Sequence, residues 1–232
     1  MRGKQMISYA SAAEDKEARR EVILEAALAL FLEDTRRLPT VAAVASRSKL
    51  AKGTIYIYFD SKEQIFASLL IRELRAFIAF VTRYFENARG DGPEIVAEFV
   101  AQYVSYVRDH PSLMWLDSMG YAMLEPNLTD AQALDLNLQF AEALEDAGRA
   151  MDAVLGLPQG EGVELLIRSF ALTRGLWQLV DIPQSVRTNP SFASHPFARM
   201  DFGRDLARAL TQYWRGAWEM SPRPDAPDAG GS

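Results

Sequence analysis

The sequence predicts an all-α protein. Apolar residues recur at helical spacing along most of the chain, the breaks between these runs fall at proline, glycine and capping residues, and no alternating strand pattern is sustained over several segments. With 232 residues, 49% of them hydrophobic, the chain can bury a substantial core in one or two domains.

Val22, Ile23, Ala26, Ala27, Leu30 and Phe31 form one stripe, which places a first helix at roughly residues 15–34. Pro39 interrupts, Thr40 is a plausible N-cap, and Val41, Val44 and Ala45 mark the inner face of a short second helix. Residues 46–50 read as a turn and about 51–58 as a third short helix. Ser61 and Gln64 form an S-x-x-Q capping box that opens a fourth helix running towards Asn87. Pro93 and Pro111 are placed as first residues of a fifth and a sixth helix. Thr129 and Gln132 form a second capping box, opening a seventh helix to about Leu155. An eighth spans about 163–181, a loop containing Pro183, Pro190 and Pro196 follows, and a ninth covers about 200–219. The Pro/Asp/Gly-rich end from Ser221 is expected to be disordered.

The formal charge of -6 conceals a division along the chain. Residues 1–62 hold 11 Lys and Arg against 8 Asp and Glu, and the remainder 14 against 23, so a cationic module of +3 precedes an acidic body of -9. All five lysines, Lys4, Lys16, Lys49, Lys52 and Lys62, lie in the first part, where they could meet phosphates. Without cysteine, disulfides, thiol catalysis and thiolate metal sites are excluded, and a reducing cytoplasm fits. The most apolar run, 165–180, is broken by Arg168 and Arg174, and no leader pattern opens the chain, so neither export nor a membrane span is expected.

Two short helices joined by a tight turn and braced by a third match the geometry that places a recognition helix in the DNA major groove. In the segment TVAAVASRSKLAKGTIYIYFDSK, from Thr40 to Lys62, Leu50, Ile55 and Phe59 are expected to pack inward. Gly53 permits close approach of backbone to phosphate, and Lys52, Lys62, Tyr56 and Tyr58 can hold phosphate oxygens. Base reading falls to Thr54, Lys49 and Ile57, the last against a thymine methyl, and Thr40 completes the candidate DNA-binding residues. The alternative is an aromatic-rich core segment beside a solvated lysine face.

Thr40, Val41, Ala45, Leu50, Lys52, Gly53, Thr54, Tyr56, Phe59, Ser61 and Lys62 carry a resemblance to the signature of the TetR (tetracycline-repressor) family. The resemblance is strong over residues 17–77 and architectural beyond. One departure is Lys49, at a turn position where the family usually has glycine; lysine accepts a left-handed backbone less readily, so an altered or strained turn is expected. The resemblance implies four segments: an extension at 1–16, a DNA-binding domain at 17–77 with its helix-turn-helix at about 40–59, a ligand-binding and dimerisation body at 78–220, and a tail at 221–232. It implies a cytoplasmic bacterial repressor, nucleoid-associated when bound, that a small molecule releases from a palindromic double-stranded DNA operator. A TetR-like activator and a helical interaction protein with vestigial DNA binding stand as alternatives.

Within the body, apolar stripes suggest a homodimer interface through Leu166, Leu206, Leu210, Tyr213, Trp214 and Trp218, with intramolecular core as the alternative. Phe99, Tyr103, Trp115, Met119, Met123, Phe140, Phe170 and Trp177 could wall a pocket for a small apolar or amphipathic ligand. Arg174 could anchor a ligand carboxylate or pair with an acidic neighbour. Glu125, Asn127 and Asp130 read as helix-start residues rather than a metal site, and His110 and His195 receive no role. No catalytic arrangement, metal site or cofactor motif stands out.

Overall fold

The computed structural model describes residues 2–35, 37–120 and 128–220, with side chains for all of these except 2–14, 136 and 220. Among the described residues it holds eleven α-helices and no strand. The chain divides into two compact units, Met1–Glu73 with Trp115–Leu134, and Leu74–Met114 with Asp135–Ser232.

The first unit begins with α1 (Arg2–Glu33), then α2 (Val41–Ser48) and α3 (Lys52–Tyr58). The first helix starts well before the expected residue 15, because residues 4–33 contain no proline or glycine and include several alanines, strong helix formers. Thr40 Oγ1 accepts the Ala43 amide at 3.2 Å, the anticipated N-cap of α2. Ile23, Ala27, Phe31, Val44, Ile55, Phe59, Ile65, Phe66 and Leu69 are buried, and the Phe31 and Phe66 rings meet at 5.7 Å. α4 (Lys62–Asn87) opens with Ser61 Oγ accepting from Gln64 N at 3.1 Å. Gln64 Oε1 accepts from Asp60 N, one residue earlier than in a strictly reciprocal capping box.

Asp91 caps α5 (Gly92–Asp109) in the second unit, while α6 (Pro111–Met119) starts there at Pro111 and runs into the first, which also holds the beginning of the next helix. The Thr129–Gln132 box at the head of α7 (Asp130–Leu155) is fully reciprocal, with amide bonds of 2.9 and 3.3 Å. α7 and α8 (Glu161–Val180) cross tightly: a Cβ on Gly148 would lie 2.3 Å from Val163 Cγ2, and one on Gly162 would lie 2.6 Å from Gly148 O. Asp152 reinforces the crossing, its carboxylate accepting the Gly160 and Gly162 amides at 2.7 Å each.

The expected loop before the last helix is instead built of short helical turns: α9 (Gln184–Arg187), α10 (Pro190–Ala193) and a 3-10 turn at Pro196–Arg199. Each opens immediately after or on a proline, whose fixed φ suits a first helical position. Asn189 caps the second and His195 the third, its Nδ1 accepting Phe197 N at 3.2 Å. Arg187 pins the segment by donating to Val180 O, Ala198 O and Met200 O at 2.6, 3.3 and 3.1 Å. α11 (Phe202–Met220) then packs on α5 and α8.

The core of this unit contains a satisfied polar ladder. Trp214 Nε1 donates to Ser169 Oγ at 3.0 Å, Ser169 Oγ to Leu165 O at 2.7 Å, and Thr173 Oγ1 to Ser169 O at 2.8 Å. With the Thr173 hydrogen so used, Tyr103 is the donor in its 2.8 Å bond with Thr173 Oγ1. Burial raises the Tyr103 phenol above its ordinary value, opposed by that hydrogen bond.

Candidate DNA interface

The turn between α2 and α3 keeps a left-handed residue despite the absence of glycine. Lys49 has φ 58° and ψ 31°, the one positive φ at a non-glycine among the described residues. Its N–H reaches Ser46 O at 3.3 Å and that of Leu50 reaches Ala45 O at 3.0 Å, the paired bonds of a Schellman motif. These bonds satisfy two end carbonyls of α2 and hold a conformation that costs lysine about 1 kcal/mol relative to glycine. The expected alteration of the turn does not occur; the strain does. The Lys49 side chain is exposed.

α3 separates its two faces cleanly. Ile55 and, just beyond the helix, Phe59 are buried as expected, and Leu50 is half-buried. On the opposite face Lys52, Gly53, Tyr56 and Ile57 are exposed, at the i, i+1, i+4, i+5 spacing of one helical side. Ile57 is 72% exposed and Tyr56 48%, a large apolar area to leave in water. A Cβ at Gly53 would meet nothing within 4 Å, so no packing among the described residues requires glycine there. Lys52 Nζ stands 5.9 Å from the centre of the Tyr56 ring, while Thr54 and Tyr58 are half-buried. Thr40 is exposed but its hydroxyl is used in the α2 cap. Lys62 opens α4 with Nζ 3.8 Å from Glu63 Oε1, which partly offsets its charge.

Two arginines absent from the sequence expectation bind α1 to α4. Arg72 reaches Glu25 at 2.6 Å, Glu21 at 3.2 Å and Glu73 at 3.7 Å. Burial disfavours its charge, but these carboxylates outweigh that effect and raise its pKa. Arg20 donates to Ser68 Oγ at 2.8 Å. The available signal was their place beside the apolar stripes of α1 and α4, which periodicity alone does not distinguish from solvated arginine.

The residues expected to form a ligand pocket fall in both units. Trp115 and Met119 belong to the first and are half-buried. Phe99 and Tyr103 belong to the second and are completely buried, with Phe140, Phe170 and Trp177 partly buried against the same core. The Arg174 guanidinium lies 5.4 Å from the centre of the Phe170 ring. Met123 lies outside the described residues, as do Tyr121, Glu125, Asn127 and the chain from Ser221. Two surface hollows of the second unit have other linings. One of about 200 Å³ lies among Pro93, Val100, Thr211 and Trp218, and one of about 320 Å³ among Arg75, Ile78, Thr82 and Asp146.

The expected dimer residues need correction. Leu166, Leu206, Leu210 and Trp214 are 0–2% exposed within the single chain, and Tyr213 and Trp218 pack partly against the same core. While the chain keeps this fold, the four buried residues are inaccessible to a second copy. An apolar stripe records burial without naming the partner, and here α5 and α8 supply it. Among the described residues no group of three or more His, Asp or Glu is placed to hold a metal, and no helix is long and apolar enough to cross a membrane.

Comparison with known proteins places this geometry. The model of bacterial regulatory proteins of the tetR family matches residues 23–69, and that of the tetracyclin repressor-like C-terminal domain matches residues 71–219. No curated protein matches the chain. Solved structures share the fold at low identity. One, described as a TetR-family transcriptional regulator from Mesorhizobium loti, is 16% identical over 89% of this chain and 98% of its own, with a TM-score of 0.57. Another so described, from Syntrophomonas wolfei, is 16% identical over 88% and 96%, with a TM-score of 0.58. The fatty acid degradation regulator FadR from Bacillus halodurans is 17% identical over 84% and 94%, with a TM-score of 0.52. With one family model matching within α1 to α4 and the other spanning the helices from α4 to α11, the chain belongs to the TetR family of transcriptional regulators.

Proposed function

We propose that this regulator is a cytoplasmic repressor that binds a near-palindromic DNA operator as a homodimer and releases it when a small apolar or amphipathic molecule binds the helical body. The exposed side of α3 carries the reading: Lys52, Gly53, Tyr56 and Ile57, with Lys49 ahead of them, form a cationic and apolar face that no described part of the chain requires. Lys49 from the turn and Lys52, Tyr56 and Tyr58 from α3 meet phosphates or base edges, Lys62 and the Thr40 end of α2 flank them, and Thr54 and Ile57 read bases. The test is selection from random double-stranded DNA followed by footprinting. Two half-sites about one helical turn apart, or a multiple of it, are expected; failure to select any sequence defeats the proposal.

Lys62→Ala is expected to weaken binding to all sequences alike and to reduce the salt slope by about 0.9 for each phosphate no longer neutralised. Thr54→Ala is expected to alter preference at particular base pairs, by about 1 kcal/mol, with the slope unchanged. A changed base preference with an intact slope in Lys62→Ala reverses the assignment.

The second copy docks on the outward side of α8, where Ile167, Ala171, Gly175 and Gln178 are exposed at helical spacing. Ile167 is 51% exposed, and a Cβ at Gly175 would meet nothing within 4 Å, so another helix can approach closely. Sedimentation of Ile167→Glu with Ala171→Glu is expected to give a folded monomer, and a persistent dimer rejects this surface. The ligand enters beside the partly buried Phe140, Phe170, Arg174 and Trp177, since Phe99 and Tyr103 are fully packed. A molecule favouring the DNA-incompetent state tenfold lowers operator affinity by about 1.4 kcal/mol, and the operator lowers the affinity for that molecule equally.

A further inference from the structure

α3 is only seven residues long, too short to hold its own direction, and its buried anchors are few. Ile55 lies on the helix itself, while Phe59 caps it, with its amide on Ile55 O at 3.0 Å and its ring 1% exposed. Shortly beyond Phe59, at Lys62, α4 begins. Arg20 of α1 addresses both. Its guanidinium carbon stands 4.5 Å from the centre of the Phe59 ring, and its Nη2 donates to Ser68 Oγ in the second turn of α4 at 2.8 Å. A planar guanidinium can stack on a ring while donating in its own plane, so one side chain holds two elements at a fixed mutual angle.

We propose that Arg20 is a positioning residue for DNA recognition: by gripping Phe59 and Ser68 together it fixes the direction of α3, without itself touching DNA. Arg72, bonded to Glu21 and Glu25, provides an independent tie between α1 and α4. Loss of Arg20 therefore leaves that packing in place and releases the end of α3 in particular. A released α3 still carries Lys52 and keeps Lys49 and Lys62 beside it, so the electrostatic attraction common to all DNA persists. What falls is the fraction of molecules that present Thr54 and Ile57 in register with base edges.

The test compares the unaltered chain with Arg20→Ala on the sequence that the unaltered chain selects from random DNA and on an unrelated duplex, by fluorescence anisotropy across a salt series. Expected for Arg20→Ala is about a tenfold loss on the selected site, the summed effect of one ring interaction and one hydrogen bond. Affinity for the unrelated duplex and the salt slope should stay close to those of the unaltered chain, while the thermal midpoint falls by no more than a few degrees, as the loss of two contacts within the fold implies. Ser68→Ala is expected to give a smaller loss of the same kind. Combining Arg20→Ala with Phe59→Leu should cost less than the product of the two single losses, because both remove the same interaction.

Equal losses on both duplexes, with a slope reduced by about 0.9 for each phosphate no longer neutralised, would make Arg20 a phosphate ligand and overturn the proposal. A loss of equal size on both duplexes with an unchanged slope, the mark of general unfolding, or no loss, overturns it as well. The proposal rests on the DNA-binding reading: an unaltered chain that selects no sequence defeats both, whereas a variant that matches it defeats this one alone.

Discussion

The α2–α3 region and the α5–α8–α11 core place their unfavourable features on opposite sides of the protein surface. In the first they face outward: a largely exposed Ile57, a glycine in α3 that costs helix stability with no packing return, and a strained Lys49. In the second they face inward, where Tyr103, Ser169, Thr173 and Trp214 bury polar atoms that are spent on one another or on backbone carbonyls. Anomalies matched within the chain make a specific core. Those left unmatched at the surface point to a partner outside it.

The sharpest test of this contrast is truncation. Trp214→Ala should lower unfolding free energy by about 3–5 kcal/mol in denaturant titration, and Ile57→Ala by no more than about 0.5 kcal/mol although it too removes a large apolar group. If Ile57→Ala proves costly, α3 has an intramolecular use. The α7–α8 crossing comes next: Gly148→Val should cost about 1–3 kcal/mol, since the Val163 side chain and backbone amide occupy the space. A smaller loss would mean that the helices separate without penalty.

The buried ladder should yield about 1 kcal/mol on Tyr103→Phe, which leaves Thr173 without its donor. It also predicts alkaline sensitivity. Burial, followed by the charge of Glu98, pushes Tyr84 up to about 12, against a backbone hydrogen bond from Phe99 that favours the phenolate, and Tyr103 is raised too, both from the ordinary 10.0. Groups raised on folding contribute stability that is fully present below pH 10 and is lost as pH climbs through their folded values, between pH 10 and about 12 for Tyr84. Thermal midpoints measured across that range should fall, and less steeply in Tyr103→Phe. A further expected effect has the opposite sign: Lys49→Gly should raise unfolding free energy by about 0.5–1 kcal/mol while reducing DNA affinity. Unchanged DNA affinity would remove Lys49 from the interface.

Local features of the fold were readable before the structure. Thr40, Ser61, Thr129, Pro93 and Pro111 act within a few residues of themselves, so the chain states their effect. The short turns after α8 are not legible in the sequence because three prolines near one another read as interruptions, whereas each begins a turn, and Arg187 in the first ties the segment to Val180, Ala198 and Met200. Asp152 and Gly148 were silent because their partners are eight to fifteen residues away. The faces of α3 followed from its period, and Ile55 and Phe59 took their expected places. The stripe of α11 was equally clear, but periodicity gives no hint whether Leu210 meets its own chain or another, and it meets its own. Arg20 and Arg72 could be seen only once α1 and α4 lay side by side.

The turn at Lys49 has a consequence in handedness. Its backbone dihedrals suit the mirror image of a natural residue, so a D-amino acid would sit there without strain. Replacement by glycine removes both the strain and the ammonium group, and their effects on DNA binding are then inseparable. A chain assembled chemically with D-lysine at position 49 would keep the charge, relax the backbone and redirect the side chain from the same Cα. Stereochemistry at one atom thus offers a way to separate what the turn costs from what its charge contributes.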